Sequence, residues 1–285
     1  MGHDRTARPV IILRHPARAV HIAEALRAVG LSPFALPLTD AELPADPGAV
    51  ADELEALGRG AYRWFVVTSG NTVQALSMLA RSRGAALAAL VDDGGARVAA
   101  VGSATARLLA DAGVVVDLVP SDASSTGLLG DFPRGNGAVL LPQADLAPDD
   151  LSTGLAARGW SVRRIEAYRT VPYPADPARR VPGIEERGEL PPVLSTGEVA
   201  AFAPGGVQPA IVFTAPSTVR QFRERLGDGP LAFFPVAIGR TTAAALRQQG
   251  WEPGATAADP TPQGIARAVE HAISSGGPTI LHPHH

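Results

Sequence analysis

The chain has 285 residues, of which 46% are hydrophobic and 19% charged, and its net charge is −3. This length suits two domains of ordinary globular composition. The small net charge excludes the basic footprint of a nucleic-acid-binding or membrane-surface protein. No apolar run reaches the roughly 18 residues that a transmembrane helix needs.

Two residue types are missing from the sequence. It has no cysteine, which excludes disulfides, thiolate zinc sites and a cysteine nucleophile. All 25 basic residues are arginine, so no lysine is present to form a Schiff base or a Walker A phosphate loop. We therefore expect neither a cofactor nor a metal. Residues 1–9 are too few and too polar for a signal peptide, and we expect a cytoplasmic protein.

Short apolar runs alternate along the chain with segments of helical periodicity. In order, strands are predicted at 9–13, 34–36, 64–67, 98–100, 117–119 and 139–141, and helices at 17–29, 47–57, 71–80, 103–112, 126–129 and 148–157. Runs of this kind are typical of strands that are buried on both faces. Their alternation with helices predicts an α/β fold with parallel sheets flanked by helices.

Residues 162–173 depart from this alternation because they are long and extended in character. We interpret them as a connector between two domains, paired with the stretch 36–38. Residues 174–192, rich in proline, are predicted to form a loop. Ser195 and Glu198 have the spacing of a capping box that opens a short helix.

Several conspicuous side chains have structural interpretations. His15 and His21 have no neighbours in the sequence that complete a metal-ligand set. Asp92-Asp93 is predicted to lie in a solvated, glycine-rich turn. Trp64 and Trp160 are predicted to pack in the core.

Three phrases of the sequence occur twice in the same order. Val66-Val-Thr-Ser-Gly-Asn-Thr-Val73 returns as Val212-Phe-Thr-Ala-Pro-Ser-Thr-Val219, Val101-Gly-Ser-Ala-Thr105 as Ile238-Gly-Arg-Thr-Thr242, and Ser125-Thr-Gly127 as Pro262-Gln-Gly264. The first two are apolar runs that break into hydroxyl and glycine residues and resume at helical spacing. Repetition over such a length indicates a duplicated half. Two such units facing each other would line a cleft with hydroxyls and backbone N–H groups.

These phrases, together with Arg14 after the first strand and Tyr168-Arg-Thr170, resemble the uroporphyrinogen-III synthase family over nearly the whole chain. The resemblance implies two α/β domains joined by a two-stranded antiparallel connector, with the active site in the cleft between them. The implied boundaries are 1–36 plus 173–285 for the first domain, 38–168 for the second, and 36–39 and 168–174 for the connector strands. The family often has a polar or basic residue pair after the strand at Val139. This chain has Pro142-Gln-Ala-Asp-Leu146, so an arginine that could hold a substrate carboxylate is absent there.

The resemblance also implies a function. Members of the family are cyclising hydro-lyases of haem and tetrapyrrole biosynthesis that act on hydroxymethylbilane, a linear tetrapyrrole with many carboxylates. They remove its terminal hydroxyl as water, invert the last pyrrole ring through a spiro intermediate and close the macrocycle as uroporphyrinogen III. Positioning can supply up to roughly 7–11 kcal/mol of such a barrier. Hydroxyls and the N–H groups of helix N-termini suit the carboxylates.

The resemblance assigns roles to particular residues. Tyr168 is expected to deliver a proton to the departing hydroxyl, and Arg14 to pair with an acetate or propionate group. The other expected substrate-binding residues are Thr68, Ser69, Ser103, Thr105, Ser125, Thr214, Ser217, Gly239, Thr241 and Thr242. The alternative for each hydroxyl is that it only caps its own helix. The alternative for Tyr168 is that it packs over the hinge.

Other functions remain open on the sequence alone. A synthase-like domain of a longer protein could keep the fold without catalysis and act as a ligand sensor. A periplasmic two-lobed binding protein would need a signal peptide. A nucleotide-binding oxidoreductase would need a G-x-G-x-x-G phrase after a strand, and none is present. We expect a monomer whose partner is hydroxymethylbilane, with no nucleic acid and no membrane.

Overall fold

The structure, a computed structural model, describes residues 8–183, 187–202, 207–226, 231–275 and 277–281. It divides into two compact units, Met1–Thr39 with Glu185–His285, and Asp40–Ile184. Residues 173–183 therefore lie in the second unit, whereas the boundary expected from the sequence places residues from 173 onward in the first domain. The Val181 N–H donates to the Ala41 carbonyl at 2.8 Å, which holds this segment in the second unit. The antiparallel pairing of the connector strands stays a prediction.

Strands and helices alternate through both units. The strands are β1 (Pro9–Ile12), β2 (Ser32–Ala35), β3 (Thr39–Glu42), β4 (Trp64–Val67), β5 (Arg97–Ala100), β6 (Ala138–Ala144), β7 (Ser161–Pro172), β8 (Ala210–Phe213), β9 (Leu231–Ala237), β10 (Ala255–Thr256) and β11 (Thr279–Leu281). The helices are α1 (Val20–Ala28), which follows a 3₁₀ turn at Pro16–Arg18, α2 (Pro47–Gly58), α3 (Gly70–Ser82), α4 (Leu87–Gly94), α5 (Ser103–Asp111), α6 (Ser125–Asp131), α7 (Asp150–Ala156), α8 (Thr196–Ala200), α9 (Pro216–Leu226), α10 (Arg240–Gln248) and α11 (Pro262–Ser275).

The sheet of the first unit has the order β10-β9-β8-β1-β2, with parallel pairing along this path and β11 antiparallel on β9. Helices α1 and α11 cover one face of this sheet. Helices α8, α9 and α10 cover the other, where Phe213, Phe222, Phe233 and Trp251 lie with ring centroids 5.4 to 6.2 Å apart. Pairs of aromatic rings at such distances add to the stability that burial provides.

The sheet of the second unit has the order β3-β7-β6-β4-β5, and its pairs from β7 to β5 are parallel. Helices α2, α3 and α4 pack on one face, and α6 and α7 on the other. Trp64 and Trp160 are buried on the latter face, on either side of Phe132 at centroid distances of 4.6 and 6.0 Å. The predicted core packing of both tryptophans is confirmed, as is the α/β fold with parallel sheets flanked by helices.

The predicted strand 117–119 is reduced to a single bridge between Leu118 and Ala99. Its first residue explains the difference, because the Asp117 carboxylate accepts the N–H of Val98 at 2.7 Å. A side chain thus takes a hydrogen bond that a backbone carbonyl would take in a longer strand. For this reason β5 is the last full strand at this edge of the sheet, with only the single bridge beyond it.

The predicted turn at Asp92-Asp93 is wrong, since both residues lie in α4. Leu87 and Val91, four residues apart, bury one side of that helix, and the glycines that suggested a loop end it. The predicted capping box is confirmed. The Ser195 side chain accepts the Glu198 N–H while the Glu198 carboxylate accepts the N–H and the hydroxyl of Ser195, which lowers the pKa of Glu198.

A partly buried polar contact links β7 to α2. The Tyr62 hydroxyl donates to the Glu53 carboxylate, and Arg163 of β7 donates to the same carboxylate at 2.7 Å. Burial, with the neighbouring Glu53, raises the pKa of Tyr62 to about 12. The pKa of Glu53 is lowered: burial alone would raise it, but the Tyr62 and Arg163 hydrogen bonds outweigh that effect.

The third repeated phrase has the same local structure in both units. Before α6, the Ser124 hydroxyl accepts the N–H of Gly127 at 2.9 Å and donates to the Asp122 carboxylate at 2.7 Å. Ser124 is therefore the cap of the helix. The predicted Ser125 is its exposed first residue.

The same arrangement recurs before α11. The Thr261 hydroxyl accepts the N–H of Gly264 at 3.1 Å and donates to the Asp259 carboxylate. The hydrogen bonds from Thr261 hold the pKa of Asp259 below its usual range. Two copies of one cap, at the same point of each unit, confirm the internal repeat.

Each cap requires a glycine. A Cβ on Gly127 would lie 2.1 Å from the Asp122 carbonyl oxygen, and one on Gly264 would lie 2.6 Å from the Asp259 carbonyl oxygen. Both distances are far below van der Waals contact. The Asp259 carboxylate obstructs a Cβ on Gly264 as well, and at each glycine a backbone carbonyl oxygen is among the obstructing atoms. A side chain at either position would push the helix away from its cap.

We predict that Gly127→Ala and Gly264→Ala each destabilise the protein by about 1–3 kcal/mol, the usual cost of overpacking. Gly130→Ala, in the same helix as Gly127, is the matched control because no atom lies within 4 Å of its Cβ. There alanine should be neutral or stabilising, by up to about 1 kcal/mol, through helix propensity. Chemical denaturation measures all three, and equal stabilities would contradict the prediction.

Candidate functional site

In each sheet, successive strands of the chain are added outward from the centre, toward one edge in one part of the chain and toward the other edge in another part. In the second unit β4 leads to β5 on one side and β6 leads to β7 on the other, so the strand order reverses between β4 and β6. In the first unit it reverses in the same way between β8 and β1. Ligands of open α/β sheets bind beyond the carboxyl ends of the strands at such switch points. Each unit therefore has one candidate binding region.

At the switch point of the first unit, Thr214 follows β8 and Arg14 lies two residues beyond β1. The Leu13 N–H donates to the Val212 carbonyl at 3.1 Å, and the Thr214 hydroxyl donates to the Leu13 carbonyl at 2.9 Å. These hydrogen bonds join the two chain segments beyond the ends of β1 and β8. Arg14, half-buried, is thus placed at the edge where a ligand is expected.

At the switch point of the second unit, Thr68 follows β4 and Gln143 is the next-to-last residue of β6. The parallel register sets Trp64 opposite Val139 and, carried to the strand ends, sets Thr68 opposite Gln143. Alternate residues of a strand share a face, so both side chains lie on the face that α6 and α7 cover. Gln143 is only 4% exposed, and its Oε1 has no hydrogen-bond partner among the described atoms.

A β-bulge directs Tyr168 to the opposite face of the same sheet. Gln143 pairs with Glu166 but Ala144 pairs with Tyr168, so Ala167 is an extra residue in β7. Strict alternation would leave Tyr168 on the face of Glu166. With the extra residue, Ala167 and Tyr168 are both buried in the cluster that includes α3. Bulges commonly direct side chains in this way beside active sites.

Tyr168 meets the N-terminus of α3 there. The Ser69 hydroxyl, which caps this helix, accepts the Thr72 N–H at 3.2 Å and lies 2.9 Å from the Thr72 hydroxyl. The Tyr168 hydroxyl lies 3.4 Å from the Ser69 hydroxyl. This distance exceeds that of a normal O–H···O bond, so the contact is weak. The Tyr168 proton remains available for a stronger acceptor.

Helices α5 and α10 begin alike. Each follows a glycine, Gly102 or Gly239, so neither has a side-chain cap, whereas α3 is capped by Ser69. The N–H groups of their first turns are left for solvent or a ligand, at the positive end of the helix dipole. Both helices start at the carboxyl edge of their sheets, immediately after β5 and β9.

The remaining predicted hydroxyls differ in accessibility. The exposed ones, in the first turns of α5, α6, α9 and α10, are Ser103, Ser125, Ser217 and Thr241. Thr105 and Thr242, at equivalent positions of the repeat, are buried at 7% and 1% exposure. Burial in both units favours a structural role for this pair.

His15 and His21 each have a local partner. His15 Nδ1 accepts the Ala17 N–H at 3.3 Å, and His21 Nδ1 lies 3.2 Å from the Glu24 carboxylate. Across the described ranges, no three or more histidine, aspartate or glutamate side chains are grouped so that they could hold a metal. In the same residues, no helix has both the length and the apolar character that a bilayer crossing requires.

The sequence matches known proteins of one kind. A family model described as uroporphyrinogen-III synthase HemD matches residues 20–267. The chain is 26% identical over 243 residues to the porphyrin biosynthesis protein HemD of Ruminiclostridium josui, covering 84% of this chain but 44% of that protein. It is 27% identical over 252 residues to a putative uroporphyrinogen-III synthase of Methanothermobacter thermautotrophicus, covering 84% of this chain and 88% of that protein.

Solved structures share the fold. A mutant uroporphyrinogen III synthase from Thermus thermophilus superposes with a TM-score of 0.62 at 23% identity, over 94% of this chain and 99% of that one. The uroporphyrinogen-III synthetase of Helicobacter pylori has a TM-score of 0.54 at 18% identity, with the same coverage. Because the family model spans most of the chain and includes the repeated turns, this chain belongs to the uroporphyrinogen-III synthase family.

Proposed function

We propose that this chain catalyses the reaction of its family, the dehydration and cyclisation of hydroxymethylbilane with inversion of the terminal ring to give uroporphyrinogen III. The observation that carries the proposal is the equivalence of the two switch points. Each has a threonine after one central strand and a long polar side chain at the carboxyl end of the other, Thr214 with Arg14 and Thr68 with Gln143. Ligand binding explains why polar groups lie at the same place in both units better than any requirement of the fold does.

The carboxylates of the bilane need hydrogen-bond donors, because an ionised carboxylate only accepts. We assign this role to the Arg14 guanidinium, the first-turn N–H groups of α5 and α10, and the hydroxyls of Thr68 and Thr214. The uncapped helix N-termini and Arg14 also add positive potential where the substrate is negative. The exposed Ser103, Ser125, Ser217 and Thr241 extend the same donor set, as does Gly239 through its backbone.

Tyr168 is the proton donor in this proposal. When the C–O bond of the hydroxymethyl group breaks, the leaving oxygen takes the Tyr168 proton and departs as water. The weak contact with Ser69 supports this role, since it leaves the phenol hydrogen free to rotate toward the leaving group. The bulge in β7 supports it too, because it brings the phenol beside the N-terminus of α3.

We predict that the purified chain, given freshly prepared hydroxymethylbilane, forms mainly isomer III. Unaided closure occurs without ring inversion and gives isomer I. The products are oxidised to porphyrins and separated, and the ratio of isomer III to isomer I is read with and without protein. A ratio that the protein does not change would overturn the proposal and favour a ligand-sensing domain with the same fold.

We predict that Tyr168→Phe lowers the rate of isomer III formation about tenfold or more, the low side of general-acid effects. Tyr62→Phe is the matched control, because it also removes a partly buried hydroxyl of the second unit but lies at the amino end of β4. It should leave the turnover of folded protein unchanged. Wild-type rates for Tyr168→Phe would remove this residue from the chemistry.

A further prediction separates the hydroxyl of Tyr168 from its neighbour. Ser69→Ala removes the cap of α3 and should lower the free energy of unfolding by about 1 kcal/mol. It leaves the phenol in place, so it should slow isomer III formation less than Tyr168→Phe does. Denaturation and the isomer assay measure the two effects, and the opposite order of rates would assign the proton transfer to Ser69.

A further inference from the structure

Gln143 carries an unusual feature for a buried residue. Its side chain is 4% exposed, and its Oε1 accepts no hydrogen bond from any described atom. Nearly all buried polar atoms in folded proteins have a partner, and an exception calls for an explanation. The position of Gln143 at the carboxyl end of a central strand, beside the switch point, indicates a partner that arrives with a ligand.

The internal repeat places Gln143 in register with Arg14. The pairing of β1 with β8 sets Val10 opposite Ala210, and that of β6 with β4 sets Val139 opposite Trp64. Ala210 and Trp64 are the first residues of the two strands that carry the repeated phrase. The fourth residue after Val10 is Arg14, and the fourth after Val139 is Gln143. The two side chains therefore occupy the same site position, each in its own unit.

We infer that Gln143 is a substrate-binding residue whose Oε1 accepts a hydrogen bond from the tetrapyrrole chain of the bilane. This inference rests on the proposed function. A carboxylate cannot be the partner, because it has no hydrogen to donate. The donors of the bilane are its pyrrole N–H groups and its terminal hydroxymethyl group. Arg14 and Gln143 thus divide the recognition: the guanidinium binds a peripheral carboxylate, and the amide binds the polar centre of a ring or the leaving group.

The test compares Gln143→Leu with the wild-type protein. Leucine has a similar volume and no polar atom, and it removes the buried oxygen that lacks a partner, so Tm should be unchanged or higher. KM for the bilane should rise about tenfold, with a smaller change in kcat. Gln248→Leu, at the exposed end of α10, is the matched control and should change neither. Gln143→Met repeats the comparison if the leucine variant does not fold.

Inhibition by uroporphyrinogen III identifies the donor, since this product keeps the pyrrole N–H groups and lacks the hydroxymethyl group. Weaker inhibition of Gln143→Leu assigns the bond to a pyrrole N–H, and unchanged inhibition with a raised KM assigns it to the hydroxymethyl group. An unchanged KM together with unchanged inhibition would show that Oε1 is a structural orphan and would overturn the inference.

The inference remains testable if the proposed function fails. When wild-type protein does not alter the isomer ratio, titration calorimetry with the bilane replaces the kinetic comparison. Tighter binding by wild type than by Gln143→Leu would then retain Gln143 as a ligand contact of a non-catalytic domain. Equal binding, or no binding by either protein, would overturn it.

Discussion

The parallel pairing of the central strands, β1 with β8 and β4 with β6, is the constraint on which the rest of the structure depends. These strands are buried on both faces, and a slip of one residue would turn every apolar side chain to the wrong face. Their register is therefore fixed by the core. Because both pairs have equivalent registers, the polar residues at their carboxyl ends lie at equivalent places in the two units. The register of the strands alone determines these places, whatever the conformation of the loops.

The chemistry of the candidate site follows from what these strand ends can present. General acid catalysis by one weak acid supplies typically about 10²–10⁴-fold, whereas positioning of reacting groups can supply up to roughly 7–11 kcal/mol. A reaction whose difficulty is the choice between two ring closures gains more from the second effect. Hydroxyls, backbone N–H groups, one amide and one guanidinium on rigid strands and helices suit that requirement.

Much of the fold could be predicted because its signals are local. The apolar runs and helical spacings indicated an α/β protein, and the paired phrases indicated the duplication. The extra residue in β7 left no mark in the sequence, since Glu166, Ala167 and Tyr168 fit an ordinary strand, and only the pairing with β6 shows the bulge. The loss of the strand at 117–119 likewise depends on a contact between Asp117 and a distant N–H.

Within the candidate site, the sequence-based assignments that differ from the structure also depend on contacts that the sequence does not show. A run of serines such as Ser124-Ser125 does not reveal which hydroxyl caps the helix, because the answer depends on where Gly127 meets Asp122. Gln143 was visible in the sequence only as the residue where an arginine was missing. The equivalence of Gln143 and Arg14 follows from aligning the strand Val10–Leu13 with the strand Val139–Pro142. Because both strands lie outside the repeated phrases, the repeat in the sequence does not reveal this equivalence.

The discontinuity of the first unit has a consequence for synthesis on the ribosome. Its strand β1 lies between β2 and β8, whose residues are separated by the entire second unit. The second unit is continuous and can finish folding as soon as it emerges, but Val10, Ile11 and Ile12 must wait for a partner about two hundred positions downstream. During that interval the apolar edge of β1 that will pair with β8 is uncovered, and the nascent pair β1–β2 is exposed to aggregation until β8 is made.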